Sequence, residues 1–211
     1  MKIALIGATG SIGSQIAQQA VQRKHQVTAI TRRTAALPAE LAGTQAVTVD
    51  SFDATALAAA IKGHDVLASA FGPGAESADL VIKQASVLIA AARAAGIKRV
   101  VVVGGAGSLF VAPGLQLVDA PGFPDMYKPY AIAHRKALDV LREAQDIDWT
   151  FFAPAAEIGP GDKKGVFRVG VDTLISDAAG NSKISYADYA DAFVTELESA
   201  AHSKQVITAA Y

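Results

Sequence analysis

The sequence predicts an α/β fold, a doubly wound parallel sheet with helices on both faces and a small lid-like subdomain at the C-terminal end. Three observations carry this expectation. The apolar run Ile3-Ala4-Leu5-Ile6 leads straight into Gly7-Ala8-Thr9-Gly10-Ser11-Ile12-Gly13, and apolar residues then recur at helical spacing at Ile12, Ile16, Ala17, Ala20 and Val21. Further short apolar runs alternate with helix-length stretches, giving four βα units with continuous apolar strands, the pattern of a parallel sheet covered on both sides. The chain has 211 residues, 51% of them hydrophobic, which suits one domain with a full core. Residues 155–211 are expected to contribute a substrate-side subdomain within it.

The glycine turn predicts a dinucleotide site. Gly7 permits a sharp turn out of the strand, Gly10 lets backbone approach a pyrophosphate, and Gly13 lets the helix pack closely on the strand. Phosphates would sit on the free amides of the helix N-terminus. The spacing G-x-x-G-x-x-G is one residue longer than the usual G-x-G-x-x-G.

The elements follow in order. Residues 25–30 read as a second strand, rich in branched side chains and ending at Thr31-Arg32-Arg33. No acidic residue stands there to accept ribose hydroxyls. Two arginines do, so either they pair a 2′-phosphate, favouring NADP over NAD, or they are solvated loop charges. Residues 46–49 form a third strand closed by Asp50-Ser51-Phe52, where either adenine lies or a turn is capped. Asp53 is the expected N-cap of a helix over 54–62, with Gly63 as its stop.

Residues 65–71 form a fourth strand ending at Ala70-Phe71-Gly72, small enough for a cofactor to pass. A helix over 78–95 follows, then a fifth strand over 99–103 and the loop Gly104-Gly105-Ala106-Gly107-Ser108. The stretch 109–129 carries four prolines and shows no clear element, which in a compact domain points to function. A helix over 130–145 and a sixth strand over 148–153 lead to Pro154 and a loop over 155–165. Then come a short strand over 166–169, a turn at Ala179-Gly180-Asn181, a capping box Ser185-x-x-Asp188 opening a helix to about Ser199, and a last strand over 205–208. In such sheets ligands bind beyond the strand carboxyl ends.

Composition excludes several classes. The formal net charge is −1, so no basic face for nucleic acid is implied. There is no cysteine, hence no disulfide, thiolate metal site or cysteine nucleophile. Asp119, Asp125 and Glu157 show no metal-ligand spacing, and no metal is expected. No membrane span is expected, because the apolar run over 86–95 is short. Met1-Lys2 leads directly into the first strand, so the expectation is a cytoplasmic protein without a cleavable signal, monomeric or homodimeric.

The motif Gly7-Ala8-Thr9-Gly10-x-x-Gly13, the segment from Val100 to Ser108 and the run Ile184-Ser185-Tyr186-Ala187-Asp188-Tyr189-Ala190 together resemble the atypical short-chain dehydrogenases/reductases. The resemblance is nearest to the NADH-flavin reductase-type members, relatives of biliverdin reductase B and of NmrA-like proteins. It implies a Rossmann fold, NAD(P) binding, and reduction of flavins, quinones or related flat acceptors, with flavin as substrate rather than tightly bound cofactor. Some NmrA-like members bind nucleotide as redox sensors without turnover. The sugar-nucleotide epimerases and dehydratases among the relatives need a larger C-terminal domain than residues 166–211 supply.

One departure bears on mechanism. The superfamily pair is Tyr-x-x-x-Lys, and this chain has Tyr130-Ala131-Ile132-Ala133-His134 at the matching place. Lysine lowers the tyrosine pKa by its charge, and histidine does so only when protonated. Tyr130 is either a proton donor or a helix start. His134 is either a nicotinamide-ribose ligand on the same helix face or a surface histidine. Ser108 is either substrate-orienting or a loop cap, and Tyr127 is an aromatic for stacking. The acceptor cleft is expected between Phe71, residues 109–127 and the loop after Pro154.

Overall fold

The computed structural model describes residues 1–32, 36–74 and 76–211. The described strands in chain order are β1 (Lys2–Ile6), β2 (Gln26–Thr31), β3 (Thr44–Thr48), β4 (Val66–Ser69), β5 (Arg99–Val103), β6 (Phe110–Ala112), β7 (Leu115–Gln116), β8 (Asp148–Pro154), β9 (Glu157–Gly159), β10 (Arg168–Val171), β11 (Lys183–Ser185) and β12 (Gln205–Ala210). The helices are α1 (Ser11–Gln22), α2 (Ala54–Ile61), α3 (Leu80–Ala95), α4 (Lys128–Glu143) and α5 (Tyr186–Ser199). Eight strands form one sheet in the order β10-β12-β8-β5-β4-β1-β2-β3, parallel except for β10. The order reverses between β1 and β4, which is where such sheets place a ligand crevice.

Alternation along β1 shows why both faces must be covered. Ile3 and Leu5 join α1 and α5 in one core, while Ala4 and Ile6 join α2, α3 and α4 in the other. The expected caps are present. Asp53 accepts the N–H groups of Thr55 and Ala56 at 2.9 and 3.0 Å, and Gly96 ends α3 at φ 75°. Helix α4 starts earlier than expected, at Lys128, because a proline in the first turn lacks only an N–H that has no partner there. No helix of the described residues is long and apolar enough to cross a membrane.

Three stretches differ from the sequence expectation. The expected loop over 109–129 holds the β6–β7 hairpin and short 3-10 turns. The late short strand lies at Arg168–Val171, two residues beyond its expected place, where it pairs antiparallel with β12. Residues 155–211 divide between the main sheet and the cleft side. β12 extends the sheet beside β8, α5 packs on α1, and only the parallel β9–β11 pair stands clear as a separate ribbon.

One backbone atom joins β8, α5 and the loop after β5. The Phe152 carbonyl accepts the Tyr189 hydroxyl at 2.5 Å and the Gly104 N–H at 2.8 Å. Tyr189 is fully buried against Phe152 and Phe193. Tyr189→Phe keeps the ring and one of the two hydrogen bonds, so it should cost about 1 kcal/mol, read as a lower urea midpoint at unchanged slope. No change in midpoint would show that this hydroxyl contributes nothing net.

Candidate functional site

Gly7 turns at φ 77° beside the end of β4, and a Cβ there would run into the Ala70 carbonyl. A Cβ on Gly13 would run into the Gly7 carbonyl. Gly10 differs: its φ is an ordinary −80°, and an added Cβ would meet only the Gly7 oxygen, at 3.4 Å. Gly10 is also the N-cap of α1 and offers no side-chain cap, so the first amides, at Ser11, Ile12 and Gly13, have no helical acceptor. A bare backbone face with unpaired donors at a helix N-terminus fits a pyrophosphate. Ala8 is buried in the core, while Thr9 and Ser11 are exposed on this face.

On one side of the turn, at the ends of β2 and β3, lies a hollow of about 660 Å³ lined by Arg32, Asp50, Phe52, Glu76 and Lys83, among others. Arg32 reaches Glu76 at 3.4 Å, and both side chains are half exposed. Asp50 caps its own turn by accepting the Phe52 N–H at 2.9 Å. Ser51 is buried, its carbonyl accepting from Gln84 Nε2 at 2.9 Å. The Thr31 carbonyl accepts the Val49 N–H. Arg33 lies outside the described residues. Phe71 stands edge-on to Phe52, with ring centroids 5.4 Å apart, and Gly72 is exposed with open space at its Cα.

On the other side, the ends of β5 and β8 open onto a cleft of about 1020 Å³. Its floor is Gly105–Gly107 and Pro154–Ala156, and Tyr130, Ala131 and His134 of α4 form a wall. The glycines here are packing requirements. A Cβ on Gly104 would enter the Phe151 ring, and one on Gly107 would come within 2.7 Å of the Ala131 Cβ. Gly105 faces the His134 ring, 3.1 Å from where its own Cβ would be. Phe123 and Tyr127 close one side, and the β9–β11 ribbon with Tyr211 closes the other. Phe71 does not line this cleft, because its ring is turned toward Phe52 and a small void behind His134.

His134 is neither a surface side chain nor a cation. Its ring stands edge-on to Phe151 at 6.3 Å, and burial lowers its pKa to about 4. Nδ1 is buried with no partner, whereas Nε2 is not sealed off in this way. A buried orphan N–H is rarer than a buried lone pair, so the neutral ring carries its hydrogen on Nε2. The Tyr130 hydroxyl donates to the Gly74 carbonyl at 3.3 Å. Ser108 lies off the cleft: its Oγ is buried without a partner, and its carbonyl accepts from Gln116 Nε2 at 2.9 Å. The scattered acids are engaged in ion pairs, Asp119 with Arg135 at 2.6 Å, Asp125 with Lys128 at 2.7 Å and Glu157 with Lys183 at 2.9 Å.

The sequence pointed to Asp188 only as a capping residue. Its carboxylate is fully buried and accepts the N–H groups of Lys164 and Gly165 at 2.9 and 2.8 Å and the Tyr211 hydroxyl at 2.7 Å. Ser185 Oγ caps α5 by accepting the Asp188 N–H at 3.1 Å. Burial raises the Asp188 pKa, but bonds from Tyr211, Lys164, Gly165 and Ser185 outweigh it and hold the carboxyl below its ordinary value. Asp188 thereby straps the loop over 160–165 along the cleft rim. Lys163 ties the same loop to Asp191 at 3.0 Å and to Gln19 at 3.2 Å.

The NAD(P)H-binding family model matches residues 7–200. Three solved structures superpose over the whole chain. A Burkholderia pseudomallei protein, provisionally described as exported, is 55% identical with a TM-score of 0.94, covered over 100% of both chains. A Bacteroides thetaiotaomicron protein, provisionally described as an epimerase, is 38% identical with a TM-score of 0.91, covering 100% of this chain and 96% of the other. A Streptococcus pneumoniae protein, provisionally described as an NADH-flavin reductase, is 34% identical with a TM-score of 0.88, covering 100% of this chain and 99% of the other. With the glycine turn, the reversal of strand order and the two flanking hollows, these likenesses show that the chain belongs to the NAD(P)H-binding family, among the atypical short-chain dehydrogenases/reductases.

Proposed function

We propose that the protein is an NAD(P)H-dependent reductase of a flat conjugated acceptor, a flavin or quinone, which enters the large cleft as a substrate after the cofactor. The observation that carries this reading is the cleft itself. It opens at the same carboxyl edge of the sheet that carries the glycine turn and is walled mainly by apolar and aromatic side chains, and its volume lies at the upper end of small-molecule sites. NADPH is the preferred cofactor on this reading, because Arg32 faces the hollow where an adenosine ribose would lie.

The amides of Ser11, Ile12 and Gly13 would hold the pyrophosphate, and His134 Nε2–H would donate to the nicotinamide ribose. When bound, the reduced nicotinamide supplies a hydride, so the chain itself need supply no redox group. Phe123, Tyr127 and Tyr130 give flat apolar surface against which a ring system is oriented and shielded from water. His134 is neutral and cannot polarise Tyr130 by charge, so the residues act chiefly by positioning. The same neutrality favours a second reading, a nucleotide-binding redox sensor with little turnover. Steady-state NADPH oxidation with FMN, FAD or a quinone distinguishes the two, and binding without turnover on any acceptor overturns the reductase.

The glycine turn yields a paired prediction. Gly10→Val should leave the fold intact and weaken NADPH binding more than tenfold in calorimetry, since its side chain would occupy the phosphate approach. Gly13→Val should instead fail in stability, because its Cβ collides with backbone. Unchanged NADPH affinity in Gly10→Val would remove the pyrophosphate assignment.

For the α4 pair, Tyr130→Phe should change turnover with FMN little, whereas a true general acid would reveal itself by a loss of about 10²–10⁴-fold. His134→Ala should raise the KM for NADPH more than it lowers kcat. A large kcat loss in Tyr130→Phe at constant KM would restore Tyr130 as the acid.

His134 also predicts a stability profile. In the unfolded chain it protonates below about 6.5, but in the fold only near 4. Its share of stability is therefore complete above about 6.5 and is lost as pH falls toward 4, by on the order of 3 kcal/mol. His134→Gln should flatten that part of the urea-midpoint profile, and an unaltered slope between pH 6.5 and 4 would contradict the assignment.

A further inference from the structure

We propose that Lys83 and Glu76 set the choice between NADPH and NADH: Lys83 supplies a second positive charge for the 2′-phosphate, and Glu76 is the counter-ion which that phosphate displaces from Arg32. This rests on the reading of the Arg32 hollow as the adenosine site.

Among the described residues, four charged side chains line the hollow, Arg32, Asp50, Glu76 and Lys83. They come from the end of β2, the end of β3, the loop before α3 and the first turn of α3, so only folding brings them together. Their formal charges cancel, and a phosphate monoester bearing about −1.5 to −2 would gain little from a neutral hollow. The balance changes if one acid leaves. Asp50 is fixed in its own turn by the Phe52 N–H. Among the described residues the Glu76 side chain is held only by Arg32, at 3.4 Å and with both side chains 54% exposed. Such a pair is weak and exchanges readily for a phosphate, which the planar guanidinium can grip with two N–H groups.

Lys83 is the cation left over. Among the described residues it pairs with no carboxylate; its ammonium stands 5.2 Å over the Phe52 ring. Phe52 is held in turn by the edge-on contact with Phe71, so the ring that carries the ammonium is anchored to the end of β4. With Glu76 displaced, Arg32 and Lys83 leave the hollow net positive. With an unphosphorylated ribose, Glu76 keeps Arg32 and nothing is gained or lost.

The test is calorimetry on the full chain with NADPH, NADH, adenosine 2′,5′-bisphosphate and AMP, at low and high salt. Glu76→Gln should move the NADPH-to-NADH affinity ratio toward NADPH, and Lys83→Gln should move it toward NADH, each by roughly three- to tenfold. Both shifts should appear in the bisphosphate-to-AMP ratio and shrink at high salt. Equal changes for both members of each ligand pair would overturn the proposal. If Arg32→Ala alone moves the ratio, Lys83 and Glu76 have no part in selection, but the adenosine reading of the hollow stands. If Arg32→Ala leaves it unmoved, that reading falls as well.

Discussion

The Gly7 peptide governs the carboxyl edge of the sheet. Its α-carbon lies against the Ala70 carbonyl at the end of β4, and its own oxygen accepts the Gly10 N–H at 3.0 Å and blocks any side chain at Gly13. Three backbone segments therefore meet without side chains between them, at the place where strand order reverses. That closeness brings the start of α1 to the strand ends and leaves its first amides free. In the strand order the turn after β1 stands between the ends of β2 and β3, which border one hollow, and those of β5 and β8, which border the other. Loosening this contact would move α1 and lose both properties at once.

The cleft is built by a similar means on its floor and by a different one on its rim. The floor is flush because Gly104 and Gly107 admit Phe151 and Ala131 to van der Waals distance of backbone. The rim instead depends on polar ties. Asp188 accepts two amides and a hydroxyl in a place without solvent, where each bond is stronger than on the surface and the loss of one would leave the carboxylate under-satisfied. Lys163 adds an exposed tie to α1 and α5 that is weaker and more easily exchanged. The loop over 160–165 is thus held firmly at its C-terminal end and less firmly near Lys163.

Much of this was legible in the sequence because it is local. Strands reveal themselves by apolar runs, caps by Asp53 and Ser185, and the turn by three glycines at fixed spacing. What was not legible depends on distant pairing. The stretch over 109–129 gave no periodic signal because a three-residue strand facing a two-residue one is too short to show alternation. The placing of β10 and β12 in the main sheet is a matter of strand order, which composition does not encode. Asp188 looked like half of a capping box, and nothing marked Tyr211 or residues 164–165 as its partners. For His134 the sequence left a ribose ligand and a surface histidine both open, the second because its neighbours Arg135 and Lys136 are charged. Its burial comes from Phe151 and the glycine loop, residues outside its own helix.

The environment of His134 has a chemical consequence for the cleft as a whole. A lysine at this position would bring a fixed charge, and with it the means to ionise a neighbouring tyrosine. The imidazole is kept uncharged by the apolar surroundings that orient it, so α4 presents a hydrogen-bond donor without an electric field of comparable strength. Glu157 and Lys183 on the opposite wall neutralise each other, and Lys164 rests 3.7 Å over the Tyr211 ring. Asp162 and Lys164 add one charge of each sign, so the described lining carries no net formal charge. On the proposed reductase reading, acceptors whose reduction develops charge on one oxygen would find no net opposite charge there, whereas flat ring systems that spread charge over many atoms need less. On that same reading, the histidine in place of the usual lysine leaves shape and proximity as the principal means of selecting an acceptor.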